Sequence, residues 1–137
     1  MPNGIDLIVA DHRQVDELFA ELDTKGSAAC AAQIMDLLTA HDEAEQHALY
    51  PLARLQLGAD AVDGALLAHS RVKMLLEQAR ASEGPQLVLV LDELREAVKE
   101  HVADEEGRLL PALAAACTPI QLDDLGARIE QVKLRVG

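Results

Sequence analysis

Two segments of the chain carry the same four residue types at the same spacing. The matching residues, 60 positions apart, are His41 and His101, Glu45 and Glu105, Leu49 and Leu109, and Pro51 and Pro111. In each copy a histidine and a glutamate stand four residues apart, so on a helix both side chains project from one face about one turn apart. Imidazole and carboxylate are metal ligands, and the repeat aims two such pairs at the core.

The helix face that carries each pair is otherwise apolar. Burying a carboxylate is costly unless it is paired or binds a cation, and the predicted inner faces offer no Lys or Arg to pair with Glu45 and Glu105. His12 and His69 also fall on the apolar stripes of two further helices. The sequence therefore predicts a positive ion between four helices, surrounded by four imidazoles and two carboxylates.

Histidine and carboxylate ligands without thiolate suit iron, manganese and zinc. Helical bundles hold two-ion sites bridged by carboxylates, so we predict two iron ions. Six protein ligands undersupply two octahedral ions, and water, oxo or hydroxo bridges or an exogenous ligand must complete the coordination. Tyr50, the only tyrosine, lies five residues after Glu45. We expect it either to pack in the core or to reach the site as a phenolate ligand or hydrogen-bond donor.

Apolar residues recur at three- and four-residue spacing through most of the chain, as in amphipathic helices. The pattern predicts helices over about 5–22, from after Ser27 to about 57, over about 61–81 and over about 87–116. Thr118, Pro119 and Gln121 form a capping-box sequence that opens a shorter fifth helix. Short connections favour antiparallel neighbours. The predicted fold is all-α, an up-down-up-down four-helix bundle with a short C-terminal fifth helix.

Pro51 and Pro111 fall inside the predicted second and fourth helices. Proline removes a backbone donor, so each should kink its helix just past the histidine and glutamate and shape one end of the site. Gly58 is placed to end the second helix, and the run at 82–85 ends the third.

Several polar residues near the repeat are expected to lie outside the site. His47 stands two residues after Glu45, about 200° around a helix, and should face solvent. Three acidic residues on neighbouring faces are assigned to the solvated exterior: Asp42, Glu43 and Glu106. For Asp16, one turn after His12, hydrogen bonding next to the site and solvent exposure are both open.

The composition describes one acidic domain spanning 1–137. The chain has 12 Lys plus Arg against 24 Asp plus Glu, a formal charge of −12, and one Phe, one Tyr and no Trp. This charge repels phosphate backbones and anionic lipid headgroups, so we predict neither nucleic-acid nor membrane binding. The N-terminal residues do not resemble a secretory signal, and we expect a cytoplasmic protein. Cys30 and Cys117 are expected to be free thiols.

The order and spacing of these residues resemble the hemerythrin-like, HHE cation-binding domain family. The resemblance covers nearly the whole chain and rests on His12, His41xxxGlu45, His69 and His101xxxGlu105. It implies a non-haem di-iron centre in which Glu45 and Glu105 bridge the metals. His12 and His41 would then favour one iron, and His69 and His101 the other.

The third helix departs from the pattern of the oxygen-carrying hemerythrins, which have two histidines four residues apart. Here Ala65 and Lys73 flank His69 at that spacing, so one nitrogen ligand is missing. Water, Tyr50 or peroxide could fill that position, and Lys73 would either reach the site or point to solvent. The departure argues against reversible oxygen carriage.

Three functions remain open at this point. The first is an oxygen- or redox-responsive module that binds dioxygen, peroxide or nitric oxide. The second is a di-iron peroxidase or catalase-like enzyme that breaks down hydrogen peroxide. The third is a structural helical bundle that holds zinc or no metal. The sequence does not separate them, and it does not give the oligomeric state.

Overall fold

The computed structural model describes residues 3–136, which are helical and contain no β-strand. The helices are α1 (Gly4–Lys25), α2 (Ala28–Ala44), α3 (Tyr50–Leu57), α4 (Ala59–Arg80), α5 (Gly84–Asp104), α6 (Leu110–Ala116) and α7 (Pro119–Val136). Two π-helical turns, Glu45–Leu49 and Glu105–Leu109, join α2 to α3 and α5 to α6. The described chain thus forms five helical rods, which are α1, α2 with α3, α4, α5 with α6, and α7. The predicted all-α fold class is confirmed. None of its helices has the length and apolarity needed to cross a membrane.

Short polar side chains and glycines set the ends of the rods. Asn3 Oδ1 accepts a hydrogen bond from the Ile5 N–H at 2.8 Å, and Ser27 Oγ accepts one from the Cys30 N–H at 3.1 Å. Each satisfies a backbone donor that a first helical turn leaves free. Gly26 follows α1 with φ of 57°, a left-handed conformation that a residue without Cβ adopts freely.

α7 begins with the capping box that the sequence predicts. The Thr118 N–H donates to Gln121 Oε1 at 2.8 Å, and the Gln121 N–H donates to Thr118 Oγ1 at 3.2 Å. Pro119 occupies the first helical position, where its missing N–H removes no helical bond. These bonds fix the point at which the chain turns back along the bundle.

Two apolar clusters fill the bundle on either side of a polar layer. The first cluster includes Val15, Phe19, Ile34, Leu38, Val72, Leu76, Leu91 and Leu94. The second cluster includes Ile8, Leu49, Ala53, Val62, Leu109, Leu113, Leu125 and Ile129. The polar layer holds the buried side chains of Asp11, His12, His41, Asp42, Glu45, His69, His101 and Glu105.

The order of these clusters along the chain gives the topology. α1 passes from the second cluster to the first, and α2 with α3 returns from the first to the second. α4 and then α5 with α6 repeat the same two passes, so successive rods are antiparallel. The predicted up-down-up-down arrangement is therefore observed, with α7 against α1 and α2.

The two cysteines are free thiols, as expected. Cys30 is buried in the first apolar cluster, whereas Cys117 packs against the second. The polar layer lies between the two clusters, so the thiols belong to opposite halves of the bundle.

The prolines are accommodated by the π-helical turns. The Tyr50 N–H bonds to the Glu45 carbonyl and the Leu110 N–H to the Glu105 carbonyl, so each turn closes over five residues instead of four. Pro51 and Pro111 directly follow these bonds. The sequence predicts a kink at each proline. The departure from regular α-helix lies instead one turn before the proline, because the widened turn contains the carbonyl groups that the proline ring would otherwise crowd.

Leu94→Ala should destabilise the metal-free protein by about 2–5 kcal/mol, because Leu94 is fully buried in the first cluster. Leu89→Ala, on the same helix with Leu89 60% exposed, is the matched control and should change stability by less than about 0.5 kcal/mol. Urea unfolding followed by circular dichroism measures both. Equal effects of the two substitutions would contradict the assigned α5 core face.

Candidate metal centre

The four rods of the bundle bring the six candidate ligands together in the polar layer. They are His12 on α1, His41 on α2, His69 on α4, His101 on α5, and Glu45 and Glu105 at the starts of the two π-helical turns. Every one of these side chains is buried, and Glu45 and Glu105 are 1% and 0% exposed. The sequence-predicted set therefore converges without exception.

The ligands form two groups that share one carboxylate. The first group is His12, His41, Glu45 and Glu105, and the second is Glu45, His69 and His101. Within each group one donor atom from every residue lies within 4.8 Å of the others. Such separations suit atoms that surround a common cation, so each group could hold one metal ion.

The shortest contacts run between imidazole nitrogens and carboxylate oxygens. His101 Nε2 lies 3.0 Å from Glu105 Oε2 and 3.2 Å from Glu45 Oε1. His41 Nε2 lies 3.3 Å from Glu45 Oε1, whereas His69 Nδ1 is further from it at 3.6 Å. Both carboxylates thus face more than one histidine, as bridging ligands would.

Several of these atoms have no hydrogen-bond partner. His12 Nε2 and Glu105 Oε1 are 3.3 Å apart but form no hydrogen bond, and Glu45 Oε2 is likewise without one. A buried polar atom left unpaired costs about 1–3 kcal/mol. Bound metal would accept lone pairs from such atoms, so the residues present fit a metal site.

Three carboxylates lie beside the outer nitrogens of three histidines, and those beside His41 and His12 form hydrogen bonds, whereas His69 Nε2 forms none. His41 Nδ1 donates to Asp11 Oδ2 and His12 Nδ1 to Glu106 Oε2, each at 2.8 Å. Asp42 Oδ1 lies 2.8 Å from His69 Nε2. Such outer partners orient a ligating imidazole and fix which ring nitrogen is free for the metal.

The assignment of Asp42 to the solvated exterior is wrong. Asp42 follows His41 and is 6% exposed, because α2 buries a broad face against both α1 and α4. Glu106 is exposed, as assigned, but its carboxylate also contacts His12. Glu106 lies inside a π-helical turn, which changes the direction in which residues after Glu105 project.

The remaining polar residues divide as follows. His47 is exposed and paired with Glu43 at 3.0 Å, as predicted for a surface residue. Asp16 is exposed, whereas Asp11, which the sequence analysis does not assign to the site, is buried and contacts His41. The spacing of Asp11 from Ile8 and Val15, three and four residues away on the buried stripe, was the available signal.

Tyr50 reaches the site as a hydrogen-bond donor. Its hydroxyl donates to Glu105 Oε2 at 2.6 Å, lies 3.3 Å from Glu45 Oε1, and is 3.1 Å from His101 Nε2. On a regular α-helix, two residues that are five positions apart point about 140° away from each other. The π-helical turn removes most of this angle, so Glu45 and Tyr50 face the same way.

Burial and the two glutamates raise the pKa of Tyr50 far above its usual value. Its phenol therefore keeps its proton and serves as a donor to the carboxylates. Burial opposes protonation of His69 and His101, but the facing carboxylates outweigh burial and raise the pKa of His69 to about 9 and of His101 to about 10. Burial also disfavours the charge of Glu45, yet the surrounding histidines hold its pKa well below the usual value. Protons thus occupy the ligand set when metal does not.

A cavity of about 20 Å³ adjoins the polar layer on the side of the first apolar cluster. Its apolar lining consists of Val15, Leu37, Leu38, Val72, Val98 and Val102, and its polar lining includes all four histidines of the site. A cavity of about 10–15 Å³ holds one water molecule. The space admits a ligand of two or three atoms beside the candidate metal positions.

The residues one helical turn before and after His69 differ in burial, and neither is placed to act as a ligand. Ala65, one turn before His69, is fully buried in the second apolar cluster, and its methyl group offers no ligand. Lys73, one turn after His69, is half-buried, and the cavity is lined by its neighbour Val72. The α4 rod therefore contributes one histidine to the site.

Fold and site together define a helical bundle with a buried histidine and glutamate cluster that could hold metal. The Hemerythrin HHE cation binding domain family matches residues 3–113, and the chain belongs to this family. A protein of Nostoc sp. (strain PCC 7120) described as a DNA nickase is 31% identical across 96% of this chain. The chain spans only 39% of that relative's length. No solved structure matches the chain.

Glu45→Ala and Glu105→Ala should each lower bound metal by about tenfold or more, because each carboxylate faces several histidines of the site. His47→Ala removes an exposed histidine two residues from Glu45 and should leave metal content unchanged. Elemental analysis of proteins purified without a chelator or a histidine tag measures all three. Equal metal loss in His47→Ala would refute the face assignment.

The metal-free protein should lose stability between about pH 6.5 and 10. His69 and His101 have raised pKa values in the folded state, so their contribution is complete below the unfolded value of 6.5 and is lost as pH rises through about 9 and 10. Glu45 has a lowered pKa, so its contribution is present above 4.5 and is lost as pH falls through the folded value.

Chemical unfolding of the metal-free protein at pH 6 and pH 9 tests this dependence. The midpoint should be higher at pH 6, and the difference should shrink in His101→Gln but persist in the exposed control His47→Gln. Stability that rises from pH 6 to pH 9 would exclude protonated histidines from the metal-free site.

Proposed function

We propose that this chain is a non-haem di-iron protein that responds to dioxygen, peroxide or nitric oxide. The proposed ligands are the six buried residues His12, His41, Glu45, His69, His101 and Glu105. The observation that carries the proposal is that two donor groups share Glu45 beside an enclosed apolar cavity. A shared carboxylate supports a dinuclear site, and the cavity supports a small, uncharged ligand.

The donor set favours iron among the metals considered. Imidazole and carboxylate without thiolate accept iron, manganese and zinc, and bundle proteins with bridging carboxylates use the first two. Bound iron would supply one-electron chemistry and open coordination positions for a small ligand. Because α4 supplies a single histidine, the six side chains leave room for such a ligand.

The chain's own residues would control what reaches the metals. The cavity of about 20 Å³ excludes large substrates, and its six apolar side chains disfavour a fully hydrated ion. The Tyr50 hydroxyl is held on Glu105 and orients that carboxylate. Asp11, Asp42 and Glu106 orient three histidines. This arrangement describes a preformed site for a diatomic molecule or peroxide.

Peroxide breakdown is the alternative that most resembles this function. It needs a group that gives up a proton readily, but the Tyr50 hydroxyl at the site already donates its proton to Glu105 Oε2. This observation favours binding and response over rapid turnover. DNA nicking, which describes the Nostoc relative, is outside the function we propose because the formal charge of −12 opposes contact with a phosphate backbone.

Protein produced in iron-sufficient medium should contain about two iron atoms per chain. The reduced, iron-loaded protein should change its visible spectrum stoichiometrically on exposure to dioxygen, nitric oxide or peroxide, because ligands enter an open coordination position. Elemental analysis, anaerobic absorption spectroscopy and an oxygen electrode measure these properties.

The matched control is Glu45→Ala, which should show neither iron nor spectral change, whereas His47→Ala should behave as the parent protein. Sustained oxygen release from peroxide would instead establish the catalase-like enzyme. Zinc in place of iron, or no metal, would overturn the di-iron proposal. Conversion of supercoiled plasmid to nicked circles by the iron-loaded protein would extend the relative's described activity to this chain.

A further inference from the structure

A cation from the C-terminal helix contacts the polar layer. Lys133 Nζ on α7 lies 2.6 Å from both Asp11 Oδ1 and Asp11 Oδ2 on α1. The Lys133 side chain is 28% exposed and that of Asp11 is 9% exposed, so the pair lies largely inside the interface between the two helices. Lys133 pairs with Asp11 and with neither Glu45 nor Glu105, so it adds a cation at the edge of the polar layer that the sequence analysis does not predict.

The sequence of α7 explains why this lysine points inward. Leu122, Leu125 and Ile129 form its buried stripe, with Leu125 and Ile129 in the second apolar cluster. Lys133 follows Ile129 by four residues, so it continues the stripe by one turn. Because the polar layer lies next to the second cluster, this extra turn places the ammonium group at the level of Asp11 rather than against leucines.

Asp11 connects this ammonium group to a candidate metal ligand. Its Oδ2 accepts a hydrogen bond from His41 Nδ1 at 2.8 Å, which leaves His41 Nε2 facing Glu45. Burial opposes the charge of Asp11, but His41 and Lys133 outweigh burial and lower the pKa of Asp11. Lys133, Asp11 and His41 thus form a continuous chain of contacts from α7 to the site.

We propose that Lys133 is a positioning residue for metal binding, and that docking of α7 and binding of metal at the site stabilise each other. Lys133 holds both oxygens of Asp11, Asp11 fixes the ring of His41, and His41 then presents Nε2 to the metal. The inference rests on the metal-binding part of the proposed function and does not depend on reactivity with oxygen species. α7 lies outside the residues 3–113 that match the family.

The coupling must act in both directions. If α7 docking raises the affinity of the site for a metal ion, the bound ion must stabilise docked α7 by the same free energy. Metal binding should therefore slow hydrogen exchange at the backbone amides of α7, although α7 supplies none of the six candidate ligands.

Titration of the metal-free protein with Co²⁺, followed by the visible absorption of the bound ion, tests the first direction. Lys133→Met keeps most of the length of the side chain but removes its charge. It should weaken Co²⁺ binding by about tenfold, because Asp11, the outer partner of His41, is then held less firmly. Lys133→Arg should restore most of the affinity. Arg128→Met removes an exposed cation from the same helix and should have no effect.

A double-mutant cycle tests whether Lys133 acts through Asp11. Lys133→Met should weaken Co²⁺ binding in the parent protein but not in the Asp11→Asn background, because the link to His41 is already broken there. The double variant buries no unpaired charge, so it also covers the case in which Lys133→Met alone folds poorly. An equal loss of affinity in both backgrounds would show that Lys133 acts elsewhere.

Hydrogen exchange measured by mass spectrometry tests the second direction. Co²⁺ should protect the α7 amides in the parent protein, and this protection should fall in Lys133→Met but not in Arg128→Met. Parental affinity and protection in Lys133→Met would overturn this inference and leave the proposed function intact. A parent protein that does not bind Co²⁺ would overturn both.

Discussion

The two carboxylates of Glu45 and Glu105 are fully buried between four helices, and the burial of their charge constrains the surrounding structure. A buried carboxylate without compensation is unstable, so every neighbouring element supplies something that offsets it. α1, α2, α4 and α5 each supply a histidine, and Tyr50 at the start of α3 supplies its hydroxyl. The histidines in turn require Asp11, Asp42 and Glu106. The polar layer is therefore a single electrostatic unit, and the apolar clusters hold the helices in place around it.

Helix positions and the six candidate ligands could be predicted because both follow from periodicity. Leucine, valine and isoleucine spacing identifies the inner face, and a histidine or glutamate on that face stands out against it. The capping box at Thr118 and Gln121 was equally visible because its signal is local. These features need no knowledge of which helix lies beside which.

The outer partners could not be predicted in the same way. Asp11 and Lys133 continue buried stripes and Asp42 lies beside one, but whether a charged side chain at such a position is buried depends on the neighbouring helix. Lys133 meets Asp11 across 122 positions of sequence, a pairing that no local pattern contains. The contact of Glu106 with His12 and the position of Tyr50 at the site do not follow from regular helix geometry, because a π-helical turn shifts the angular count by most of one residue. Pro51 and Pro111 indicate where each helix departs from regular geometry, but proline alone predicts a kink and not a widened turn.

Each donor group draws residues from both halves of the chain. The first group takes His12, His41 and Glu45 from the N-terminal half and Glu105 from the C-terminal half, while the second takes Glu45 from the former and His69 and His101 from the latter. Neither half alone can surround an ion. A metal ion bound here would link two helical hairpins, α1 with α2 and α4 with α5, and would close long loops of the chain. It can therefore bind only after the two hairpins have packed together. Metal uptake would then belong to the late stage of folding, and retention of the ion would report that the hairpins remain assembled.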